Sequence, residues 1–171
     1  MKIGFDAKRY YHNPTGLGNY SRTLVSGLQK LFPDNEYVLY DESYLTRTFS
    51  LGKKAAKDGC DIYHGLSNEI PFDLSAGKRP VSIVTIHDVA WLTFPDMYHW
   101  ADRKIYNWKY GSSCRRADQV LAISESTKRD VIRFYGVKED KVKVIYQPVQ
   151  EYYYKLRSEE RRVGQACRSR W

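Results

Sequence analysis

Val81-Ser82-Ile83-Val84-Thr85-Ile86-His87-Asp88 decides how this chain reads. The run Val81–His87 is dense in β-branched residues, the signature of a strand buried within a parallel sheet. It ends on an ionisable pair, His87-Asp88. Working outward, shorter strands are expected at Lys2–Asp6, Tyr37–Tyr40 and Asp61–Tyr63 upstream, and at Gln119–Ile123 and Val142–Tyr146 downstream. His64-Gly65-Leu66-Ser67-Asn68 reads as a turn. Helical segments fall between the strands. Tyr20, Leu24, Leu28 and Leu31 make one apolar stripe, closed by Pro33-Asp34-Asn35. Residues 41–60 are polar, with weak helical character around Lys53–Lys57, and residues 101–116 form an aromatic, basic helix. Ser124 suits the N-cap of a helix Glu125–Tyr135, and Gly136 suits its end. This alternation predicts an α/β domain with a mostly parallel sheet.

A chain of 171 residues holds one domain, and 42% apolar with 28% charged residues is ordinary for a globular protein. No stretch approaches the ~20 apolar residues that span a bilayer. The apolar run opening at Met1 is too short for a secretory signal, so a cytoplasmic location is expected. Cys60, Cys114 and Cys167 lie far apart and are odd in number, which predicts buried or incidental thiols rather than a disulfide framework or zinc site. The net charge is +8. Residues 157–171 supply +3 of it, from Arg157, Arg161, Arg162, Arg168 and Arg170 against two glutamates, leaving +5 for residues 1–156. A basic protein suits an anionic partner. With no paired Cys/His finger and no aromatic ribonucleoprotein motif, nucleic acid is not expected to be that partner.

The stretch Arg157–Trp171 has no apolar periodicity and resembles the translation of a short-read sequencing adapter, departing from it at Gln165-Ala166. Read so, residues 1–156 are the domain, residues 157–171 are a non-native tail, and the native protein is expected to continue beyond about residue 156. A disordered basic tail or a short terminal helix is the other reading.

Four places carry candidate chemistry. Gly16-x-Gly18 lies between the first strand and the first long helix, where glycines let backbone approach a ligand and a helix N-terminus attracts an anion. A turn requiring positive φ explains the same glycines. The spacing is not the dinucleotide fingerprint: nine residues separate Asp6 from Gly16, and Ser21 stands where a third glycine belongs. Asp41, after the second strand, is a minor candidate for a ribose-binding acid. His87-Asp88 sits at the C-terminal end of the strongest strand, the edge where open α/β sheets bind ligands. A histidine satisfied by a carbonyl, with Asp88 capping a turn, is the alternative. His64-Gly65 follows a short strand, and Ser124-Glu125 follows another; loop and capping roles account for both pairs without function. The helix 101–116 suits lipid or a phosphorylated acceptor, or simply one packed and one solvated face. Together Gly16, Gly18, His64, His87 and Ser124 follow four strands of one sheet and so point to a single cleft.

The order of motifs resembles retaining family-4 glycosyltransferases: Lys2-Ile-Gly-Phe-Asp-Ala7, Thr15-Gly-Leu-Gly-Asn-Tyr20, Asp61-Ile-Tyr-His-Gly65, Val84-Thr-Ile-His-Asp-Val89, Arg116-Ala-Asp-Gln-Val-Leu-Ala-Ile-Ser-Glu-Ser-Thr127 and Lys143-Val-Ile-Tyr-Gln-Pro148. The match runs from Met1 to about Leu156. The resemblance implies a Rossmann-like three-layer domain, the N-terminal, acceptor-side half of a GT-B fold. It implies transfer of a hexose, with retention, from a nucleotide-diphosphate sugar to a glycan or lipid-linked acceptor, without metal or other cofactor, at most in peripheral contact with the inner membrane face. Gly16, Leu17 and Gly18 would approach the donor diphosphate. His87 would be the catalytic residue beside the transferred sugar, and His64, Asp88, Ser124 and Glu125 would line the cleft. Two departures stand out: Asp41–Gly59 is shorter than the family pattern, and the half carrying the nucleotide pocket lies outside this chain, so the chain alone is expected to be inactive. The competing expectation is a non-catalytic Rossmann-like module that binds a nucleotide or a phosphorylated ligand.

Overall fold

β1 (Lys2–Asp6), the first strand of the chain, lies inside the sheet rather than at its edge. The structure, a computed structural model, describes residues 1–148. β2 (Glu36–Tyr40), β3 (Ile62–Gly65), β4 (Val81–Ile86), β5 (Gln119–Ala122) and β6 (Val142–Val144) complete a six-stranded sheet in the order β2-β1-β3-β4-β5-β6. Every pairing is parallel. The mostly parallel sheet expected from the sequence is therefore wholly parallel among the described residues, and the domain is Rossmann-like, with helices flanking the sheet. The chain steps one way from β1 to β2 and the other way from β3 onward. Such a reversal opens a crevice at the C-terminal ends of the two strands it separates, β1 and β3.

Side chains alternate between two cores. Tyr37, Leu39, Ile62, Ile3 and Phe5 pack with Tyr20, Val25 and Leu28 of α2 (Gly16–Leu31) on one face. Val38, Tyr40, Tyr63, Val84 and Ile86 pack on the other with α4 (Leu51–Lys57), α6 (Trp100–Arg116) and α7 (Glu125–Tyr135). Phe5 and Val25 are fully buried, and burial of each contributes about 1.5–3 kcal/mol. The apolar stripe of α2 holds through Tyr20, Leu24 and Leu28. Leu31, expected to belong to it, is the last residue of α2 and is exposed.

Several local expectations change. The connection after β1 contains a helix, α1 (Lys8–His12), and Gly16 is the first residue of α2 rather than part of a loop. A second unforeseen helix, α3 (Tyr44–Phe49), begins where the Ser43 hydroxyl accepts from the Thr46 amide at 3.3 Å. His64 lies within β3, not in the turn after it, and a short helix, α5 (Ala90–Thr93), follows β4. Helix α7 has the expected bounds, with Ser124 capping it and Gly136 in the left-handed conformation, φ 63°. The tail at 157–171, and residues 149–156 of the expected domain, lie outside the described residues.

Candidate functional site

His87 follows β4 directly and is buried, held from every side. Its Nε2–H donates to the Leu66 carbonyl at 2.9 Å, which leaves Nδ1 to accept from the Gln147 amide at 3.1 Å. Its backbone amide donates to the Asn68 Oδ1 at 2.8 Å, and its carbonyl accepts from the Thr127 hydroxyl at 3.1 Å. The Tyr20 ring meets the imidazole edge-on at 4.8 Å. Burial pushes the His87 pKa down, against the opposing pull of the Leu66 carbonyl and Asp88, so the ring is neutral at pH 7.

His64 joins the same network one strand away. Its Nε2 lies 2.8 Å from the Thr85 hydroxyl, which also meets the Tyr20 hydroxyl at 3.0 Å. Tyr20, Thr85 and both histidines thus form one buried polar cluster under the α2 side of the sheet edge. Burial, with His87 nearby, lowers the His64 pKa from 6.5 to about 4. In the unfolded chain this ring takes up a proton near pH 6.5, whereas the folded state resists protonation until about pH 4. The stability that depends on a neutral His64 is therefore complete above pH 6.5 and drains as pH falls towards 4, by roughly 3 kcal/mol in all. Urea unfolding between pH 7 and 4.5 should show this loss, and His64→Gln should flatten part of it. An identical pH slope in the variant would remove His64 from this account.

The glycines divide in role. Gly18 is buried, and a Cβ there would lie 1.7 Å from the Asn13 carbonyl oxygen, so Gly18 serves the contact between α2 and the chain before it. Gly16 is exposed and has nothing near its missing Cβ. Leu17 is half-buried, and its carbonyl accepts from the Ser21 hydroxyl at 2.8 Å. Among the described residues no side chain caps this end of α2, and its first turn carries no acid. The helix start therefore keeps unpaired N–H groups and a positive dipole end at the exposed Gly16.

The other expected residues sit at the same edge with local partners. Ser124 Oγ accepts from the Thr127 amide at 3.1 Å, while the Thr127 hydroxyl ties the helix start to the His87 carbonyl. Asp88 is exposed, and its Oδ1 accepts from the Ala90 amide at 3.1 Å, the turn-capping role. Glu125 is an exposed first-turn acid. Neither carboxylate hydrogen-bonds to a histidine among the described residues. Asp41 pairs with His12 at 2.7 Å. No three His, Cys, Asp or Glu side chains among the described residues converge on a point that would hold a metal ion.

The sequence did not reveal two parts of this edge. Asn68 adopts φ 63°, a conformation asparagine tolerates, and its side chain fixes the His87 backbone. On the other face, Arg47 spans the crevice between β1 and β3. Its Nε donates to Asp6 at 2.6 Å, Nη2 donates to Ser67 at 3.2 Å, and Nη1 pairs with Glu69, which also pairs with Lys109. Burial opposes the Arg47 charge, but Asp6 and Glu69 more than offset it and raise its pKa, so it stays charged. Burial raises the Asp6 pKa despite the guanidinium beside it.

Glycosyltransferase Family 4 is the description of the family model that matches residues 19–151. No curated protein matches the chain at a significant level.

Proposed function

Because this chain belongs to glycosyltransferase family 4, we propose that it forms the acceptor-side wall of a sugar-transfer cleft, with a nucleotide-diphosphate sugar as donor and a glycan or lipid-linked molecule as acceptor. The observation that carries the reading is the convergence of the bare α2 N-terminus, His64, His87 and the α7 start on the C-terminal edge of one parallel sheet. Gly16 and Leu17 would offer backbone N–H groups and the helix dipole to the leaving diphosphate. The tautomer of His87 is fixed by Leu66, so its Nδ1 lone pair, now on Gln147, is the atom free to exchange partners with a sugar hydroxyl. A GT-B partner domain, closing over this edge, would supply the nucleotide pocket and exclude water, and transfer with retention would follow without a metal. Among the described residues no helix is long and apolar enough to cross a membrane, and the membrane contact we propose is peripheral.

One observation favours a non-catalytic module binding a nucleotide or phosphorylated ligand instead: both ring nitrogens of His87 are already engaged. Rate and stability separate the two. In the protein that carries this domain, assayed with a panel of nucleotide-diphosphate sugars, His87→Ala should lower turnover roughly 10²–10⁴-fold. Its melting temperature should fall only by the few degrees that an orphaned Leu66 carbonyl costs, about 1–3 kcal/mol. Near-normal activity per folded molecule would sink the catalytic role.

A further inference from the structure

Opposite α2, between α1, α3 and α6, lies a recess of about 330 Å³ lined by Lys8, Arg9, Tyr44, Arg47, Ile105 and Lys109, among others. Its charge does not balance. Arg47 and Lys109 are taken up by Asp6 and Glu69, whereas the Lys8 ammonium and the Arg9 guanidinium meet no carboxylate among the described residues. Two cations are left over in a partly enclosed space, the complement of a phosphate.

From Ile105 at its rim outward, the surface turns apolar. Leu45 is 68% exposed, Ile105 51% and Trp108 59%, on two helices held side by side. The Lys109 ammonium reaches the Tyr44 hydroxyl at 3.4 Å, and Phe49, Phe72 and Trp108 stack at 5.8 and 4.8 Å. A water-soluble sugar phosphate would have no use for such a rim. An anionic head with an apolar chain fits both parts.

We propose that this recess binds the phosphate of an amphiphilic acceptor, whose apolar chain leaves across Leu45, Ile105 and Trp108. The word acceptor rests on the glycosyltransfer reading above; the binding chemistry does not. Lys8 and Arg9 hold the phosphate, and the Arg47–Glu69–Lys109 cluster forms the rigid floor. The Tyr110 hydroxyl, pushed up to about 12 by burial, stays neutral and does not repel the anion.

The test is calorimetric titration of the chain, with no donor present, using dihexanoyl phosphatidic acid below its aggregation threshold, inorganic phosphate and dihexanoylglycerol. Phosphatidic acid should bind at least about tenfold more tightly than phosphate, since burial of even two methylenes accounts for that factor. It should also bind at least about tenfold more tightly than dihexanoylglycerol, which has the same chains but no anion for Lys8 and Arg9. Lys8→Gln, at a half-buried position, and Arg9→Gln, at an exposed one, should each weaken it about tenfold. Leu45→Ser should weaken phosphatidic acid and leave phosphate unchanged. Equal affinity for phosphate would mean a free-anion site and would overturn the amphiphile. Equal affinity for dihexanoylglycerol, or indifference to Lys8→Gln and Arg9→Gln, would overturn the phosphate pocket. Absence of transfer in a separate assay with donor would count against the enzyme reading alone and leave the binding result standing.

Discussion

Replacing Arg47 with methionine should destabilise the domain by about 3–5 kcal/mol, a fall of roughly 10–15 °C in Tm for a chain of this size. Methionine fills much of the same space but removes the cation that, among the described residues, touches Asp6, whose side chain is 2% exposed. Asp6 would then lie buried without a charge partner, beside a Glu69 still paired with Lys109, and the Ser67 hydroxyl would lose its donor. Urea unfolding at pH 7 measures the cost. Acid adds a second readout. Burial already raises the Asp6 pKa, and loss of the guanidinium would raise it further. The deficit should therefore be largest where Asp6 is ionised and shrink as acid protonates it. A loss below about 1 kcal/mol at pH 7 would show that the two carboxylates are solvated after all.

Gly18→Ala should cost about 3 kcal/mol, at the upper end for an overpacked site. The added Cβ would meet the Asn13 carbonyl oxygen at 1.7 Å, the Asn13 carbonyl carbon at 2.7 Å and the Arg9 carbonyl oxygen at 2.9 Å. These are backbone atoms, so no rotamer change relieves the clash. Arg22 also holds the segment in place, donating to the Tyr10 and Asn13 carbonyls at 2.8 and 3.0 Å. Gly16→Ala, two residues away, meets open space and should be neutral or stabilise by up to about 1 kcal/mol. Thermal melts of the two variants side by side make the comparison. A Gly18→Ala protein that melts with wild type would mean that α1 and α2 separate easily.

The pair also shows what the sequence could and could not convey. Gly16-x-Gly18 was legible as a special place, but a ligand-approaching glycine and a packing glycine look the same until the Asn13 carbonyl is in position. β1, α7 and the strand ending at His87 were legible because β-branched density, a serine cap and a terminal glycine act locally. Helix α3 was not: Tyr44, Leu45 and Phe49 are exposed, so no apolar stripe marks it. Arg47 and Lys109 were hidden for a related reason. A charged residue in a polar stretch reads as solvated, and the acid that buries both, Glu69, comes from the connection between β3 and β4. On α6 the pattern runs the other way, with Trp100, Ile105 and Trp108 outside and Lys109 inside. His87 was expected at the sheet edge, where it lies, and His64 just after its strand rather than within it. The Thr85 hydroxyl that meets His64 and the Tyr20 ring that meets His87 read simply as strand and apolar stripe.

The interior position of β1 bears on how the domain is made. β1 is synthesised before both of the strands that flank it, so it cannot complete its ladders until both neighbours exist. One contact at its start, the Lys2 amide to the Asp61 carboxylate, closes a separation of 59 positions. Until β3 arrives, Ile3 and Phe5 have only β2 and α2 for cover, and one flank of the strand offers open hydrogen-bonding groups to any other chain. Topologies that defer their central pairings fold slowly and stay vulnerable to association in the interval. During synthesis, the hazardous stretch of this domain is β1.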